Sequence, residues 1–166
     1  MAYDFANLQR DLADLRTYRV TRFILSPQQW ERYQERVGLQ WSAVQFGPQY
    51  VSQVPNDQIG VYSFVASPGI ANHPALAYPM YVGMTAEQSF RTRYEQYLQE
   101  PNKRKPRPAI VTMLTCWPRH LYFFYAPIQD VGVIKQVEDD LLSALLPPYN
   151  TIFPATIRAV VDAALR

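Results

Sequence analysis

The chain has little cysteine and no long apolar run, and only 18% of its residues are charged. The one cysteine among 166 residues, Cys116, excludes an internal disulfide and a multi-cysteine zinc site. The absence of a run of about 18 apolar residues predicts that no helix spans a membrane. The first residues carry charges throughout and lack the apolar stretch of a signal peptide, so we expect an intracellular, cytoplasmic protein. Aromatic residues make up 14% of the chain, which favours a packed core over disorder.

The basic charge is concentrated in one short stretch, although the net charge is only +2. Residues 91–119 contain seven basic and two acidic residues. At the centre of this stretch, the segment 101–108 reads PNKRKPRP, and its three prolines predict an extended loop rather than a helix. An extended basic loop suits contact with phosphates, but it also suits a solvated connection between two elements, and the charge pattern leaves both open.

Apolar spacing and capping residues predict the order of helices and strands. In the first part of the chain they predict a helix at 4–16, a strand at 19–25, a helix that starts at Ser26 and stops at Gly38, and a connection at 39–58 with room for a short strand. Further along they predict strands at 60–65, 80–84, 109–116 and 120–125, helices at 85–99, 130–146 and 155–165, and a proline-rich loop at 67–79. This mixture indicates an α+β fold with a small, mostly antiparallel sheet flanked by helices. Residues 1–58 are predicted to form an N-terminal helix–strand–helix extension, and residues 59–166 the main domain.

One acid of the predicted helix at 130–146 faces the core. On a helical wheel, Glu138 lies near the middle of the apolar face that Ile134, Leu141 and Leu145 form. An unpaired carboxylate in a core is costly, so Glu138 must be paired, protonated or bound to a metal. A buried ion pair with an arginine and a metal ligand at the floor of a site both meet this requirement, and the helix alone does not separate them.

Two arginines flank the aromatic stripe of the predicted helix at 85–99. Arg91 and Arg93 lie on either side of Phe90 on the helical wheel. An arginine at such an edge can lay its stem over the core and offer its guanidinium to a phosphate. A surface ion pair is the alternative interpretation.

Five positions along the chain follow an order that resembles the GIY-YIG nuclease superfamily. The two short strands that name the family stand here as Gly60-Val61-Tyr62 and Tyr81-Val82-Gly83. The family arginine corresponds to Arg91, ten residues after Tyr81. Glu138 matches the glutamate of a later helix, and Asn150 matches the asparagine that follows that helix. The order and spacing of all five make the resemblance fairly specific.

The resemblance covers residues 59–152 and has two departures. The two tyrosines are 19 residues apart, more than in compact members, because of the loop at 67–79. His73 lies in that loop and is expected to be exposed. Many members have a lysine after the second motif, but this chain has Met84, so Arg93 or the basic loop would have to supply that phosphate contact.

The resemblance implies a metal-dependent endonuclease that hydrolyses phosphodiester bonds in DNA. Glu138 would bind one divalent cation, Mg²⁺ or Mn²⁺, and Arg91 would clamp the phosphate. Tyr62 would activate or orient the attacking water, and Tyr81 would position the water or the phosphate. A tyrosine is a poor base unless its pKa is depressed. Asn150 would brace the site through hydrogen bonds.

The expected partner is DNA, with no membrane. Its backbone would contact five basic residues: Arg93, Lys103, Arg104, Lys105 and Arg107. A homodimer would allow both strands to be cut. The alternative is a catalytically silent nucleic-acid-binding or protein-interaction module on the same fold.

Overall fold

The computed structural model describes residues 21–34, 38–70, 76–117 and 119–165. The predicted helix at 4–16 and His73 lie outside these residues, as does the beginning of the predicted strand at 19–25. Residues 21–25 have no regular secondary structure, so the prediction of a strand is wrong for the part that is described.

A four-stranded antiparallel sheet forms the centre of the protein. Its strands are β1 (Ser42–Gln45), β2 (Gly60–Ala66), β3 (Tyr78–Thr85) and β4 (Leu121–Pro127). Their order across the sheet is β1-β4-β2-β3, with every neighbouring pair antiparallel. The predicted α+β class is therefore confirmed. Because β1 lies within the predicted extension at 1–58, that extension and the main domain share one sheet.

Helices cover both faces of this sheet. In the described ranges they are α1 (Pro27–Gln34), α2 (Phe90–Leu98), α3 (Pro108–Cys116), α4 (Val131–Leu145) and α5 (Ala155–Leu165), with short 3-10 helices at Pro48–Gln53 and Glu100–Asn102. The predicted helices at 130–146 and 155–165 are confirmed. Asp130 caps α4 by accepting a hydrogen bond from the backbone N–H of Gly132. None of the described helices is long and apolar enough to cross a membrane.

Helix α2 starts later than its sequence predicts. Thr85, where the predicted helix was to start, is the last residue of β3, and its hydroxyl donates to the carbonyl of Gln88 in the turn that follows. Ser89 caps the helix instead, because its side chain accepts a hydrogen bond from the backbone N–H of Thr92. The predicted start at residue 85 is therefore wrong, and the helix begins at Phe90.

The predicted strand at 109–116 is wrong, because these residues form α3. The β-branched residues Val111, Thr112 and Thr115 favour a strand locally. Pro108, however, supplies the helical φ angle at the first position of α3. Ile110 and Met113, three residues apart, then bury themselves on one side of the helix. Burial of this pair against the sheet outweighs the local preference.

The sheet separates two apolar cores because alternate residues of each strand point to opposite faces. One core joins the sheet to α2 and α3; among its buried residues are Tyr62, Phe64, Phe90, Tyr94, Tyr97, Ile110, Met113 and Phe123. The second core joins the sheet to α4; it contains Val61, Val82, Ala126, Ile134, Val137, Leu141 and Leu142. Strand β3 is the last strand at one side of the sheet, so its outer edge lies between the two helical layers.

Candidate active-site cleft at the edge of the sheet

A cleft of about 650 Å³ lies at the outer edge of β3. Tyr81 of β3 and Arg107, the residue before α3, line it from one side, and Lys135, Glu138 and Leu142 of α4 line it from the other. Asn150 also lines the cleft. Three of the five residues matched to the nuclease motifs, Tyr81, Glu138 and Asn150, therefore surround one space.

The first side is named here the aromatic wall; it consists of Tyr81 and Arg107 at the cleft, with Tyr62, Tyr97, Arg93 and Glu100 packed beside them. The ring centroids of Tyr62 and Tyr81 are 6.5 Å apart in a stacked arrangement, and those of Tyr81 and Tyr97 are 6.1 Å apart. The hydroxyl oxygens of Tyr62 and Tyr97 lie 2.9 Å apart in a hydrogen bond. Tyr62 therefore lies behind Tyr81, does not itself line the cleft, and has an exposed fraction of 0%.

Gly83 makes room for the ring of Tyr62. The two residues are direct partners in the β2–β3 register. A Cβ atom at position 83 would lie 2.5 Å from the Tyr62 hydroxyl oxygen and 2.6 Å from its Cζ. The second motif therefore requires glycine at position 83 for a steric reason, independent of any chemistry, because the ring of Tyr62 from the first motif packs against it.

Arg93, and not Arg91, reaches the tyrosines. The Arg93 Nε donates to the hydroxyl of Tyr62 at 3.0 Å, and its guanidinium carbon lies 5.6 Å from the ring centroid of Tyr97. Arg91 points elsewhere: its Nε donates to the carbonyl of Val54 at 2.8 Å and its Nη2 to the carbonyl of Ser52 at 3.2 Å. Arg91 does not line the cleft among the described residues.

Burial controls the pKa of the inner tyrosines. Loss of solvent first, and then the nearby Tyr81, raise the pKa of Tyr62 to about 12, although Arg93 acts in the opposite direction. The pKa of Tyr97 is also raised, again first by burial. Arg93 therefore does not turn Tyr62 into a base; in this conformation the phenol stays protonated at neutral pH.

A second buried acid, Glu100, anchors the basic loop. Its carboxylate is 1% exposed and accepts hydrogen bonds from Lys103 Nζ at 2.6 Å, and from Nε and Nη2 of Arg107, each at 3.0 Å. The backbone N–H of Arg107 also donates to it at 2.9 Å. The hydrogen bonds from Arg107 are the main reason that the pKa of Glu100 falls to about 2. One carboxylate thus fixes both ends of the segment 103–107.

The remaining basic residues of the loop face solvent. Arg104 and Lys105 are exposed, and no acidic residue in the described ranges forms an ion pair with either. The loop therefore contains two basic residues that are fixed on Glu100 and two that are free. The predicted extended loop is found only in part: Lys103 and Arg107 have extended backbone angles, but residues 103–105 form bends between the 3-10 helix at Glu100–Asn102 and the start of α3.

The second side is named here the helix wall; it consists of Lys135, Glu138 and Leu142. The carboxylate of Glu138 is 15% exposed and accepts a hydrogen bond from Lys135 Nζ at 3.0 Å. The same Nζ lies 2.7 Å from the carboxylate of Asp139. Glu138 is therefore paired, as its position on the apolar face requires, but with a lysine of its own helix that is itself 60% exposed. No arginine in the part of the chain that the structure describes forms an ion pair with Glu138.

Asn150 ties the chain after α4 to the edge of β3. Its Oδ1 accepts the backbone N–H of Val82 at 2.9 Å, and its Nδ2 donates to the carbonyl of Val82 at 2.8 Å. The backbone N–H of Tyr149 donates to the carbonyl of Met80. This side chain pairs with both backbone groups of Val82, as a neighbouring strand would, at the closed end of the cleft that Asn150 lines.

The donor set of the cleft fits a cation that needs few protein ligands. Within the described ranges, no three His, Cys, Asp or Glu residues lie close enough together to form a metal cage. Glu138 is the acidic residue of the cleft, and the cleft is open to water. Mg²⁺ commonly takes one or two carboxylates and keeps its waters, so a single glutamate suits Mg²⁺ and does not suit zinc.

Two members of the aromatic wall were not assigned to a site by the sequence. Tyr97 belongs to the aromatic stripe of α2, and its position there indicates only a core residue. Glu100 follows the helix end and has no periodic pattern around it; its only signal is the presence of Lys103 and Arg107, three and seven residues further along.

Comparisons with known proteins give no match. No protein-family model, no curated protein and no solved structure matches the chain.

Proposed function

We propose that this chain is a GIY-YIG-type endonuclease that hydrolyses phosphodiester bonds in DNA with one Mg²⁺ or Mn²⁺. The observation that carries the proposal is the grouping of Tyr81, Glu138 and Asn150 around one cleft, with Tyr62 stacked on Tyr81. These residues come from four separate segments of the chain. Their proximity is what a shared site requires, and a set of unrelated surface residues would have no reason to converge.

Glu138 would hold the metal. A divalent cation supplies a Lewis acid for a phosphate oxygen and lowers the pKa of a bound water. The ion pair with Lys135 does not prevent this role, because the lysine is mostly exposed and has Asp139 as a second partner. Lys135 can therefore release Glu138 and remain paired.

Arg93 would supply, from behind the cleft and without contacting the phosphate, the positive charge that the resemblance assigns to Arg91. Its Nε supports the phenol of Tyr62, whereas Arg91 is occupied by two backbone carbonyls. A cation beside the tyrosines can stabilise negative charge that develops on a phosphate.

The two motif tyrosines have different roles. Tyr81 lines the cleft and can position water or phosphate through its hydroxyl. Tyr62 is fully buried and its pKa is about 12, so its hydroxyl orients its neighbours and does not remove a proton at neutral pH.

The bound DNA would extend from the cleft over the basic loop, where Arg104 and Lys105 are exposed. Contacts with the backbone at such residues give affinity that falls with salt and carries no sequence preference. A cytoplasmic homodimer would place two clefts on one duplex and cut both strands.

A silent binding module on the same fold is the second candidate. The raised pKa of Tyr62 and the pairing of Glu138 with Lys135 favour it, because neither group is in a reactive state. Such a module would bind DNA and leave it intact with any divalent cation.

Nicking of supercoiled plasmid separates the two candidates. The nuclease account predicts nicking with Mg²⁺ or Mn²⁺, none with EDTA, and a loss of at least ~100-fold in Glu138→Gln. Asp139→Asn is the matched control, because Asp139 shares Lys135 but does not line the cleft. Native nicking by Glu138→Gln would remove the metal assignment, and intact plasmid with wild-type protein would favour the binding module.

A further inference from the structure

We propose that Arg107 binds a phosphate in the cleft and that Glu100 is the residue that positions it. This role deepens the proposed function and rests on it, because the phosphate would belong to the bound DNA. Arg107 is distinct from Arg93, the arginine that supports Tyr62, since it comes from the basic loop and its guanidinium bonds to Glu100.

Arg107 has both the location and the exposure for such a contact. It lines the cleft that Glu138 lines from the other side, and its side chain is 47% exposed. Arg93, by comparison, supports Tyr62 from a position that does not line the cleft. Among the cations of the aromatic wall, Arg107 is therefore the one that a ligand in the cleft meets.

The guanidinium of Arg107 keeps free donors. An arginine side chain has five N–H donors, and Glu100 uses two of them, on Nε and Nη2, which leaves three. The fixed fork of a guanidinium matches two oxygens of a phosphate.

Two hydrogen bonds and one cation–π contact hold this guanidinium in place. Glu100 accepts from two of its nitrogens and also from the backbone N–H of Arg107, so the side chain and the main chain are tied to one carboxylate. The guanidinium carbon lies 5.3 Å from the ring centroid of Tyr97, in a cation–π contact. An arginine that is already ordered loses little side-chain entropy when it binds a phosphate.

The charge of this cluster suits an anion. Lys103 and Arg107 both pair with Glu100, so two positive charges meet one negative charge. The surplus positive charge remains at the cleft. Lys103 alone would satisfy part of the buried carboxylate, and this is why removal of Arg107 leaves Glu100 paired.

The test measures DNA affinity and cleavage separately. Affinity is measured with a short duplex in EDTA over a salt series, and cleavage as a single-turnover rate at saturating duplex with Mg²⁺. Each phosphate contact contributes about 0.9 to the slope of log affinity against log salt. We expect Arg107→Gln to lower the slope by about 1 and the rate by at least ~10-fold.

Arg158→Gln is the matched control. It removes an exposed arginine of α5 that does not line the cleft and lies outside the basic loop, so it should leave both the slope and the saturated rate native. Arg107→Lys keeps the charge without the fork and should retain the slope while lowering the rate.

Glu100→Gln tests the positioning role. It should retain the slope, since every cation is present, and lower the saturated rate per folded molecule several-fold, with the folded fraction measured by urea unfolding. A native rate per folded molecule would reduce Glu100 to a structural residue and overturn its part of the proposal. If Arg107→Gln does not fold, the double variant Glu100→Gln/Arg107→Gln takes its place, because it replaces the ion pair with two neutral amides. Its salt slope is then compared with that of Glu100→Gln and should be lower by about 1.

The two proposals fail differently. An unchanged salt slope in Arg107→Gln overturns the phosphate contact, whatever the rate. Absence of cleavage by wild-type protein with Mg²⁺ and Mn²⁺ overturns the nuclease, while the slope difference still decides for or against Arg107. If the wild-type protein does not bind the duplex at all, both proposals are wrong.

Discussion

The two walls of the cleft hold their polar groups in opposite ways. On the aromatic wall, polar groups are buried and bonded to one another: Glu100 is 1% exposed, Tyr62 is 0% exposed, and arginines bridge them to Tyr97. On the helix wall, Lys135 is 60% exposed, and its ammonium group pairs with both Glu138 and Asp139.

This difference indicates that the two walls of the cleft have different roles. Buried hydrogen-bonded groups are held in one geometry, since each lost partner leaves a desolvated polar atom. An exposed ion pair within one helix is weak and can exchange partners at little cost. The aromatic wall is therefore suited to hold fixed donors, and the helix wall is suited to release its carboxylate to a cation.

The largest expected effect breaks the aromatic wall from inside. Gly83→Ala places a Cβ against the ring of Tyr62, whose hydroxyl is held by Arg93 and Tyr97. The ring has no free direction in which to move, and we expect a loss of about 3 kcal/mol in the free energy of unfolding. Urea unfolding measures it.

Gly38→Ala is the control for this substitution. A Cβ at position 38 meets no atom within 4 Å, so its effect should stay within about 0.5 kcal/mol. Equal stabilities of the two variants would mean that the aromatic wall is not rigid.

The second prediction concerns which arginine serves the site. Arg93→Gln removes the cation from Tyr62 and should lower the single-turnover cleavage rate by ~100-fold, or about 2.7 kcal/mol. Arg91→Gln removes hydrogen bonds to Val54 and Ser52, so it should lower stability and leave the rate per folded molecule within ~3-fold. The opposite pattern would restore Arg91 to the role that the resemblance implies.

The third prediction is a pH dependence of the aromatic wall. The pKa of Glu100 falls from 4.5 to about 2 in the folded protein, first because of Arg107. A depressed pKa means that folding favours the ionised form, so its stabilisation is complete above pH 4.5 and is lost as pH falls through about 2. At neutral pH we expect wild-type protein to exceed Glu100→Gln by about 2 kcal/mol, allowing for screening at the half-exposed partners.

Urea unfolding of both proteins from neutral to acid pH measures this difference. It should shrink steadily below pH 4.5. A difference that stays constant to the acid limit would mean that the Glu100 carboxylate is not selectively stabilised in its ionised form.

The smallest expected effect is at the closed end of the cleft. Asn150→Ala removes two hydrogen bonds to Val82 and should cost about 1 kcal/mol, because water can replace part of them at the sheet edge. Asn102→Ala, at an exposed position, serves as the control. Hydrogen exchange at the amide of Val82 should rise in Asn150→Ala and stay native in the control.

Regular elements were the most predictable part of the fold. The strands that carry Tyr62 and Tyr81 and the helix that carries Glu138 follow from alternation and from the apolar stripe. The segment 109–116 was wrongly predicted as a strand, because its β-branched residues favour a strand locally while the burial of Ile110 and Met113 requires a helix.

The site was predictable in its motifs and not in its details. Counting ten residues from Tyr81 leads to Arg91, but in α2 the side chain of Arg93 reaches Tyr62, and Arg91 bonds to backbone carbonyls instead. Glu100 could not be found from periodicity, since it follows a helix end and acquires its partners through the path of a loop. Such contacts depend on tertiary structure and leave only weak traces in a sequence.

The measurement that tests the central claim most directly locates the metal itself. Fe²⁺ in place of Mg²⁺, with ascorbate and peroxide, generates radicals that cut the polypeptide beside the bound ion, and mass spectrometry identifies the cuts. The account predicts cuts within the segments 81–84, 106–110, 135–142 and 149–152, which contain the residues that line the cleft, and their loss with excess Mg²⁺ or in Glu138→Gln. Cuts elsewhere, or an unchanged pattern in Glu138→Gln, would contradict it.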